Sequence, residues 1–252
     1  MIHFVGAGCG AADLITVRGE RLLKEADVVI YAGSLVNPAL LKNCKAGCAI
    51  HNSATMTLEE VLSVMRNAER NGRTTVRLHT GDPCLYGAIR EQMDALDRDG
   101  IAYDYCPGVS AFSGAAAALN LEYTLPGVSQ SVIITRMAGR TPVPERESIR
   151  AFAQHKATMV LFLSTGLLEP VREELLAGGY APDTPAAIVY KATWPDERKY
   201  LCTVDTLPAC AKENAVTKTA LIVVGDAVKQ SGYARSELYH PAFTTEFRPA
   251  KE

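Results

Sequence analysis

"RTTVRLHTGDPCLYGAI", residues 73–89, joins two kinds of pattern through one glycine- and proline-rich loop. Its first half is rich in β-branched and apolar residues, which predicts a strand. An apolar spacing of three to four residues then runs from Leu85 to Leu96 and stops at Gly100, which predicts a helix. A strand followed directly by a helix is half of a βαβ unit, and this unit builds parallel sheets.

The same alternation repeats on both sides of this stretch. Further strands are predicted at "IHFVGAG", "ADVVIYAG" and "IAYDYCPG", with a helix capped by Thr57 and Glu60 before the quoted stretch. In the second half, strands are predicted at "SVIITR", "TMVLFLST", "AAIVYKA" and "TALIVVGDA", and a helix at "EPVREELLAGG". Repeated βα alternation predicts an α/β fold with a mostly parallel sheet and helices on both of its faces.

A block of small residues between 109 and 127 marks the expected domain junction. We therefore predict an N-terminal α/β domain over residues 1–112 and a C-terminal α/β domain over residues 113–230. The tail, residues 231–252, has no core periodicity and is expected to be draped over the surface or loose.

Composition argues for a globular protein in the cytoplasm. The chain has 252 residues, of which 48% are apolar and 21% charged, with a net charge of −2, and such a balance does not favour a nucleic-acid partner. No apolar run approaches the roughly 20 residues that span a bilayer, and the first residues lack a basic region, so neither a membrane partner nor export is expected.

Cysteine usage fits reduced thiols. The seven cysteines are scattered and form no CxxC pair, which argues against a disulfide framework or a zinc ribbon. Cys44 and Cys48 could share a helix face as a metal pair, but no second pair or histidine cluster completes a site. No metal is therefore expected.

The first glycine loop matches a dinucleotide fingerprint. Gly6, Gly8 and Ala11 satisfy G-x-G-x-x-[GA] after a strand, which would indicate NAD and an oxidoreductase. Two features weaken this alternative. The segment "ADLITVRG" stands where the fingerprint helix should begin, and no acidic residue ends the second strand to bind the ribose. A plain strand-to-helix turn is the other explanation.

Six motifs occur in an order that resembles a known family: "VGAGCGAADLITVRG", "ADVVIYAGSLV", "HTGDPCLYGAI", "CPGVSA", "TRMAGRTPVPE" and "YKATWPDE". From about residue 2 to residue 228, the chain resembles the tetrapyrrole methyltransferases of corrin synthesis. The last two motifs are narrower and favour methylation at C11, with another corrin carbon as the alternative. The resemblance implies two αβα domains, the first with a mostly parallel and the second with a mixed sheet, an active-site cleft between them, and a homodimer.

The resemblance also implies a cofactor, S-adenosylmethionine, and a tetrapyrrole substrate. The cofactor contacts carried over by motif are Gly81, Asp82, Leu85, Tyr86, Ser110, Ala111, Leu163, Ala192, Ala220 and Leu221. Each has an ordinary explanation too. Asp82 could only cap the following turn, "PGVSA" could be a plain turn before a helix, and the last four could be core residues. We expect Asp82 to favour a cationic ligand by Coulomb attraction.

The substrate would present acetate and propionate carboxylates. The candidate substrate contacts are Gly8, Asp13, Ser34, Arg136 and Arg140. The two arginines could bind carboxylates bidentately or could belong to a solvated basic loop. No catalytic residue is predicted, because methyl transfer needs no covalent enzyme intermediate and His79, which lies beside the loop, is typical of a structural histidine.

One position departs from the family pattern. The family commonly has Gly-Pro-Gly in the first loop, whereas this chain has Gly8-Cys9-Gly10. Cysteine does not fix the backbone φ as proline does, so we expect a more mobile loop and altered substrate contacts, with cofactor binding unaffected.

A tetrapyrrole carrier without catalysis is a further alternative to the enzyme.

Overall fold

The computed structural model describes residues 1–250, apart from the side chain of Ser34. The chain divides into two compact units. The first contains Met1–Ala115 together with Lys191–Glu197, and the second contains Ala116–Tyr190 and the chain from Arg198 onward. The segment Lys191–Glu197 therefore belongs to the first unit although it lies in the second half of the sequence.

The first unit is a parallel sheet between helices. Its elements are β1 (Ile2–Gly6), α1 (Val17–Glu25), β2 (Val28–Tyr31), β3 (Ala49–Asn52), α2 (Leu58–Arg70), β4 (Thr75–His79), α3 (Arg90–Asp99) and β5 (Tyr103–Cys106). The strand order is β3-β2-β4-β1-β5, and every pair is parallel. A further helix, α4 (Ala111–Leu119), contains the point of division between the units.

Apolar side chains cover both faces of this sheet. Phe4 and Ile30 pack with α2 and α3 on one face, while Val5 and Val29 pack with Leu23 of α1 on the other. Burial on both faces is the usual condition of a parallel sheet. The predicted parallel α/β fold of this half is confirmed.

Two details of this half differ from the sequence-based expectation. The strand β3 was not predicted, because it is short and only every second side chain is even partly buried. The helix α3 begins at Arg90 and not near Leu85, although it ends at Gly100 as predicted. Tyr86 and Ala88 have φ angles of 57° and 49°, and a left-handed backbone cannot continue an α-helix.

The second unit contains a mixed sheet. Its elements are β6 (Val132–Arg136), α5 (Ile149–Ala153), β7 (Thr158–Phe162), α6 (Leu168–Ala177), β8 (Pro185–Tyr190), β9 (Arg198–Thr203), α7 (Leu207–Glu213) and β10 (Ala220–Val224). The strand order is β6-β7-β10-β8-β9; β6 and β7 are parallel and the remaining pairs antiparallel. The predicted mixed sheet is confirmed, and the edge strand β9 and the short helices α5 and α7 are additional to the sequence-based assignment.

The tail forms short-range contacts within the second unit. The guanidinium of Arg248 donates hydrogen bonds to the carbonyl oxygens of Leu238, His240 and Phe243. Several aromatic side chains of the tail are exposed to solvent. Within residues 1–250, no helix combines the length and the apolar character that crossing a membrane requires.

The helix α2 begins with the predicted capping box. The Thr57 side chain accepts a hydrogen bond from the backbone N–H of Glu60 at 3.2 Å, and the Glu60 carboxylate accepts one from the backbone N–H of Thr57 at 2.7 Å. Both backbone donors lack partners within the helix, so the two bonds satisfy groups that the helix geometry cannot.

We expect Thr57→Ala to reduce the free energy of unfolding of the first unit by about 1 kcal/mol, because the N-terminal amides of α2 lose an acceptor. Urea unfolding followed by fluorescence measures this effect, since the chain's one tryptophan, Trp194, lies in the same unit. Ser63→Ala, an exposed change in the middle of α2, is the control and should not destabilise. Equal effects of the two changes would contradict a specific cap.

Candidate functional site

Three loops meet at the carboxyl edge of the parallel sheet, where open α/β sheets bind ligands. They follow β1, β4 and β5 and touch through glycine backbones. A Cβ placed on Gly108 would lie 2.2 Å from the carbonyl oxygen of Gly81, and one on Gly6 would lie 2.6 Å from the Cα of Gly108. Such distances are too short for any side chain. The backbone N–H of Gly81 also donates to the carbonyl oxygen of Gly8 at 2.8 Å.

Asp82 ties two of these loops together. One carboxylate oxygen accepts from the backbone N–H of Cys84 at 2.9 Å and from the hydroxyl of Tyr105 on β5. The other accepts from the backbone N–H of Gly108 at 3.1 Å. The Asp82 carboxylate therefore fixes its own turn and also links the loop after β4 to the loop after β5. We call this arrangement the Asp82 clamp.

The clamp keeps Asp82 ionised. Burial by itself would raise the pKa of the carboxyl, but the hydrogen bonds from Tyr105 and from the amides of Cys84 and Gly108 outweigh it and lower the pKa. Burial, together with the Asp82 charge, raises the pKa of the Tyr105 hydroxyl. At neutral pH the pair is a carboxylate that accepts from a phenol.

The segment Lys191–Glu197 holds the first glycine loop. The Thr193 hydroxyl accepts the backbone N–H of Ala11 at 3.0 Å and lies 3.5 Å from the Sγ of Cys9. A Cβ on Gly10 would lie 2.3 Å from the ring of Trp194, so this segment packs directly on the loop backbone. Cys9 is buried within these contacts. These contacts restrain the loop around Cys9.

The predicted cofactor contacts of the first unit lie at or beside this edge. A Cβ on Gly81 would lie 3.3 Å from the backbone nitrogen of Ala111 and 3.6 Å from the Cα of Ser110, so these three residues are neighbours. In the same loop as Asp82, Leu85 is half-buried and the Tyr86 side chain is 44% exposed.

Ala192, which the sequence places in the second half of the chain, belongs to the first unit and is buried. A Cβ built on Gly114 would lie 3.4 Å from that of Ala192. Its packing therefore explains its small size without a ligand, and its role in cofactor binding stays a prediction.

Three more predicted cofactor contacts lie in the second unit, where β7 ends and the neighbouring inner strand β10 begins. Leu163 directly follows β7, and Ala220 and Leu221 begin β10, which runs antiparallel to β7. The Leu163 side chain is 66% exposed and its φ is 52°, whereas Ala220 and Leu221 are buried. An exposed leucine in a left-handed conformation is uncommon. The contact roles of these residues stay predictions.

The predicted substrate residues are spread over both units. In the first, Asp13 is exposed on a short 3₁₀ turn, and a Cβ on Gly8 would lie 2.6 Å from the Leu14 carbonyl oxygen. The Ser34 side chain lies outside the described part of the chain. In the second, the Arg136 guanidinium donates to the carbonyl oxygens of Met137, Thr141 and Pro142, which closes its own loop, while Arg140 is exposed.

A polar row runs along the central strand β4. Thr75, Arg77 and His79 alternate along the strand and face the same side of the sheet as Phe4. All three are buried. Burial and the nearby Arg77 charge lower the pKa of His79 to about 3, and among the described residues its Nε2 has no hydrogen-bond partner. Sequence reasoning did not find this row, because a polar residue at every second position is also typical of an exposed strand face.

Two further observations concern the alternative chemistries. The helix α1 begins at Val17, six residues beyond Ala11, where a dinucleotide fingerprint helix would begin. In the described part of the chain, no group of three or more His, Cys, Asp or Glu side chains is placed to hold a metal ion.

Comparison with known proteins identifies the relatives of this chain. The family model for tetrapyrrole (corrin/porphyrin) methylases matches residues 1–208. A cobalt-precorrin-4 C(11)-methyltransferase of Methanocaldococcus jannaschii is 49% identical over 247 residues, which cover 98% of this chain and 95% of that protein.

Two solved structures are also similar. The structure of a cobalt-precorrin-4 methyltransferase of cobalamin biosynthesis matches with a TM-score of 0.88 and 46% identity, covering 90% of this chain and 95% of its own. A uroporphyrin-III C-methyltransferase of Thermus thermophilus, solved in complex with S-adenosylhomocysteine, matches with a TM-score of 0.75 and 26% identity, covering 91% and 99%.

We expect Tyr105→Phe to destabilise the first unit by about 1–3 kcal/mol, because the Asp82 carboxylate loses a donor in a partly buried place. Tyr103→Phe is the matched control on the same strand, since it removes a hydroxyl that donates to the exposed Asp97 carboxylate at 2.9 Å. The control should cost less than about 1 kcal/mol. Urea unfolding monitored by Trp194 fluorescence compares them, and a control as costly as Tyr105→Phe would contradict the clamp.

The low pKa of His79 predicts a loss of stability in mild acid. Its folded pKa of about 3 lies below the ordinary histidine pKa of 6.5, so the unfolded chain binds the proton first. Stability is therefore full above pH 6.5 and falls as the pH drops toward 3, by about 1.4 kcal/mol per pH unit at most. Between pH 7 and pH 5 the free energy of unfolding should fall in the wild type by about 2 kcal/mol more than it falls in His79→Leu. Urea unfolding at the two pH values measures both decreases. An unchanged difference would show that burial of the neutral ring is not the cause.

Proposed function

Because this chain belongs to the tetrapyrrole (corrin/porphyrin) methylase family, we propose that it is an S-adenosylmethionine-dependent methyltransferase acting on C11 of precorrin-4 or cobalt-precorrin-4 in cobalamin biosynthesis. The near-complete coverage and 49% identity to a C(11)-methyltransferase support this substrate and position. We propose further that it works in the cytoplasm as a homodimer, the state that the family resemblance implies.

The charge of the Asp82 clamp is the structural observation that favours this cofactor. The Asp82 carboxylate is ionised, and the groups that donate hydrogen bonds to it are a phenol, two backbone amides and the Cys84 thiol, all neutral. Its negative charge is thus balanced by hydrogen bonds but not by a cationic side chain in those contacts. A cation placed nearby would be attracted by about 4 kcal/mol at a 4 Å separation and an effective dielectric of 20.

S-adenosylmethionine carries a cationic sulfonium and an α-amino group, and when bound it supplies an electrophilic methyl group. The residues proposed to hold it in the first unit are Gly81, Asp82, Leu85, Tyr86, Ser110, Ala111 and Ala192. Those proposed in the second unit are Leu163, Ala220 and Leu221. In this proposal Gly81, which has no side chain, lets the cofactor approach the backbone closely, and the half-buried Leu85 excludes water.

The main requirement of methyl transfer is that the protein positions the two reactants. A conjugated ring carbon is already electron-rich, so the main contribution of the chain is to hold the two reactants in line, which can remove several kcal/mol from such a barrier. Gly8, Asp13, Ser34, Arg136 and Arg140 are the proposed substrate contacts. Arg140 is the freer of the two arginines for a propionate, because Arg136 already donates to three carbonyl oxygens.

His79 does not suit the role of proton acceptor. With a pKa near 3 it is neutral at physiological pH but holds a proton very weakly, and a general base is most effective with a pKa near the working pH. No residue is therefore assigned to accept the proton that the conjugated substrate releases, from a nitrogen or a neighbouring carbon, once the ring carbon has been methylated. Solvent or a group of the substrate itself can accept it without an enzyme intermediate.

We expect Asp82→Asn to weaken the binding of S-adenosylmethionine by at least about tenfold, because the charge is lost and the amide can accept at only one of the two oxygen positions that hold the clamp. If the carboxylate faces the sulfonium, S-adenosylhomocysteine, which has a neutral sulfur, should lose less affinity than S-adenosylmethionine. If the carboxylate faces the α-amino group, which both ligands carry, the affinities for both ligands should fall by the same factor. Asp94→Asn, an exposed change on α3, is the matched control for charge and should leave both affinities unchanged.

Calorimetry with both ligands, followed by methyl transfer to precorrin-4 with and without cobalt, tests the full proposal. Binding of NAD(P) with no response to S-adenosylhomocysteine would replace it by the oxidoreductase alternative. Tetrapyrrole binding without formation of S-adenosylhomocysteine would indicate a carrier. A product methylated at a carbon other than C11, located by NMR, would retain the enzyme class and correct the position.

A further inference from the structure

The segment between β4 and α3, residues 82–89, has an unfavourable backbone. Tyr86 and Ala88 both have left-handed φ angles, 57° and 49°, and neither is a glycine. Between them, a Cβ on Gly87 would lie 2.2 Å from the carbonyl oxygen of Pro83, so the chain turns back closely on itself. Left-handed conformations at residues with a Cβ are retained only where the surrounding structure enforces them, and they concentrate at functional sites.

Gln92 holds the end of this segment. It lies in the first turn of α3 and is only 4% exposed. Its Nε2 donates to the carbonyl oxygen of Ala88 at 2.9 Å, and its Oε1 accepts from the Nε of Arg77 at 3.1 Å. In a continuous helix, the oxygen of residue 88 would receive the backbone N–H of residue 92. Here the side chain of that residue reaches the oxygen and keeps the left-handed turn in place.

Arg77 determines which way the Gln92 amide faces. The guanidinium can only donate and the Ala88 carbonyl can only accept, so Oε1 must face Arg77 and Nε2 must face Ala88. Arg77 is itself 7% exposed and anchored by a bond from its Nη1 to the carbonyl oxygen of Ile30 at 3.1 Å. Both of these partners are neutral, and burial lowers the pKa of Arg77 to about 10. Burying a cation against neutral acceptors is costly, and the contact of Arg77 with Gln92 is one that an apolar side chain could not make.

We propose that Gln92, oriented by Arg77, is a positioning residue that keeps residues 82–89 in the conformation that binds the methyl donor. This inference rests on the proposed function, because it takes Asp82, Leu85 and Tyr86 of the segment as donor contacts. The Asp82 clamp fixes the beginning of the segment, and the Arg77–Gln92 pair fixes its end. Neither Arg77 nor Gln92 needs to touch the ligand.

The test compares Gln92→Glu with Leu96→Ala in the full-length protein. A glutamate at position 92 can still accept the hydrogen bond from Arg77, but it places an oxygen against the Ala88 carbonyl oxygen. The bond to Arg77 is therefore kept and the bond to Ala88 is lost. We expect its thermal midpoint to stay close to that of the wild type and its Kd for S-adenosylhomocysteine to rise about tenfold. Gln92→Leu, which removes both bonds, should raise the Kd at least as much and also lower the midpoint.

Leu96→Ala is the control, because Leu96 is fully buried on the same helix and follows the end of the segment by two helical turns. It should lower the midpoint clearly while the Kd stays within about twofold of the wild type. Wild-type affinity in both Gln92 variants would overturn the positioning role and leave the proposed function intact. A loss of affinity in Leu96→Ala that follows its loss of stability would overturn it as well. Absence of S-adenosylhomocysteine binding by the wild type would instead reject the proposed function.

Discussion

The close approach of three glycine backbones at the carboxyl edge of the first sheet is the constraint on which the site depends. Gly6, Gly81 and Gly108 lie where the loops after β1, β4 and β5 pass each other. A Cβ on Gly6 or on Gly108 would lie 2.6 Å or less from a backbone atom of a neighbouring loop. This close packing lets the Asp82 carboxylate reach the backbone N–H of Gly108 in the neighbouring loop.

The regular parts of the fold could be predicted from the sequence, and the irregular parts could not. Long apolar or β-branched runs and caps identified most strands and the helix α2, because each of these signals is local. The strands β3 and β9 are edge strands in which no side chain is fully buried, so they carry little hydrophobic periodicity. The start of α3 was placed too early because Leu85 continues the apolar spacing, while the left-handed φ angles that delay the helix depend on contacts distant in sequence.

The site shows the same limit. The family resemblance implied that Gly81 and Ser110 both contact the cofactor, and in the structure the loops that carry them are neighbours. The resemblance could not show that Lys191–Glu197 belongs to the first unit, where Thr193 binds the loop at Ala11, because that pairing joins residues 182 positions apart. The two explanations of Asp82 also prove compatible in principle. Its carboxylate fixes the turn at Cys84, and its ionised state is what a cationic ligand would require.

The polar row on β4 is unusual for the central strand of a sheet and needs an explanation. In a parallel sheet both faces of the central strand are covered, so Thr75, Arg77 and His79 lose water whichever side they face. Hydrophobic residues at these positions would give a more stable core, as replacement of buried polar groups often does. They could not, however, carry a directional contact from the centre of the sheet to the Ala88 carbonyl. Arg77 can, because its donors orient Gln92, and Gln92 reaches the end of the loop. Arg77 is thus best understood as a residue that lowers the stability of the core but, through Gln92, fixes the conformation of the segment following the strand.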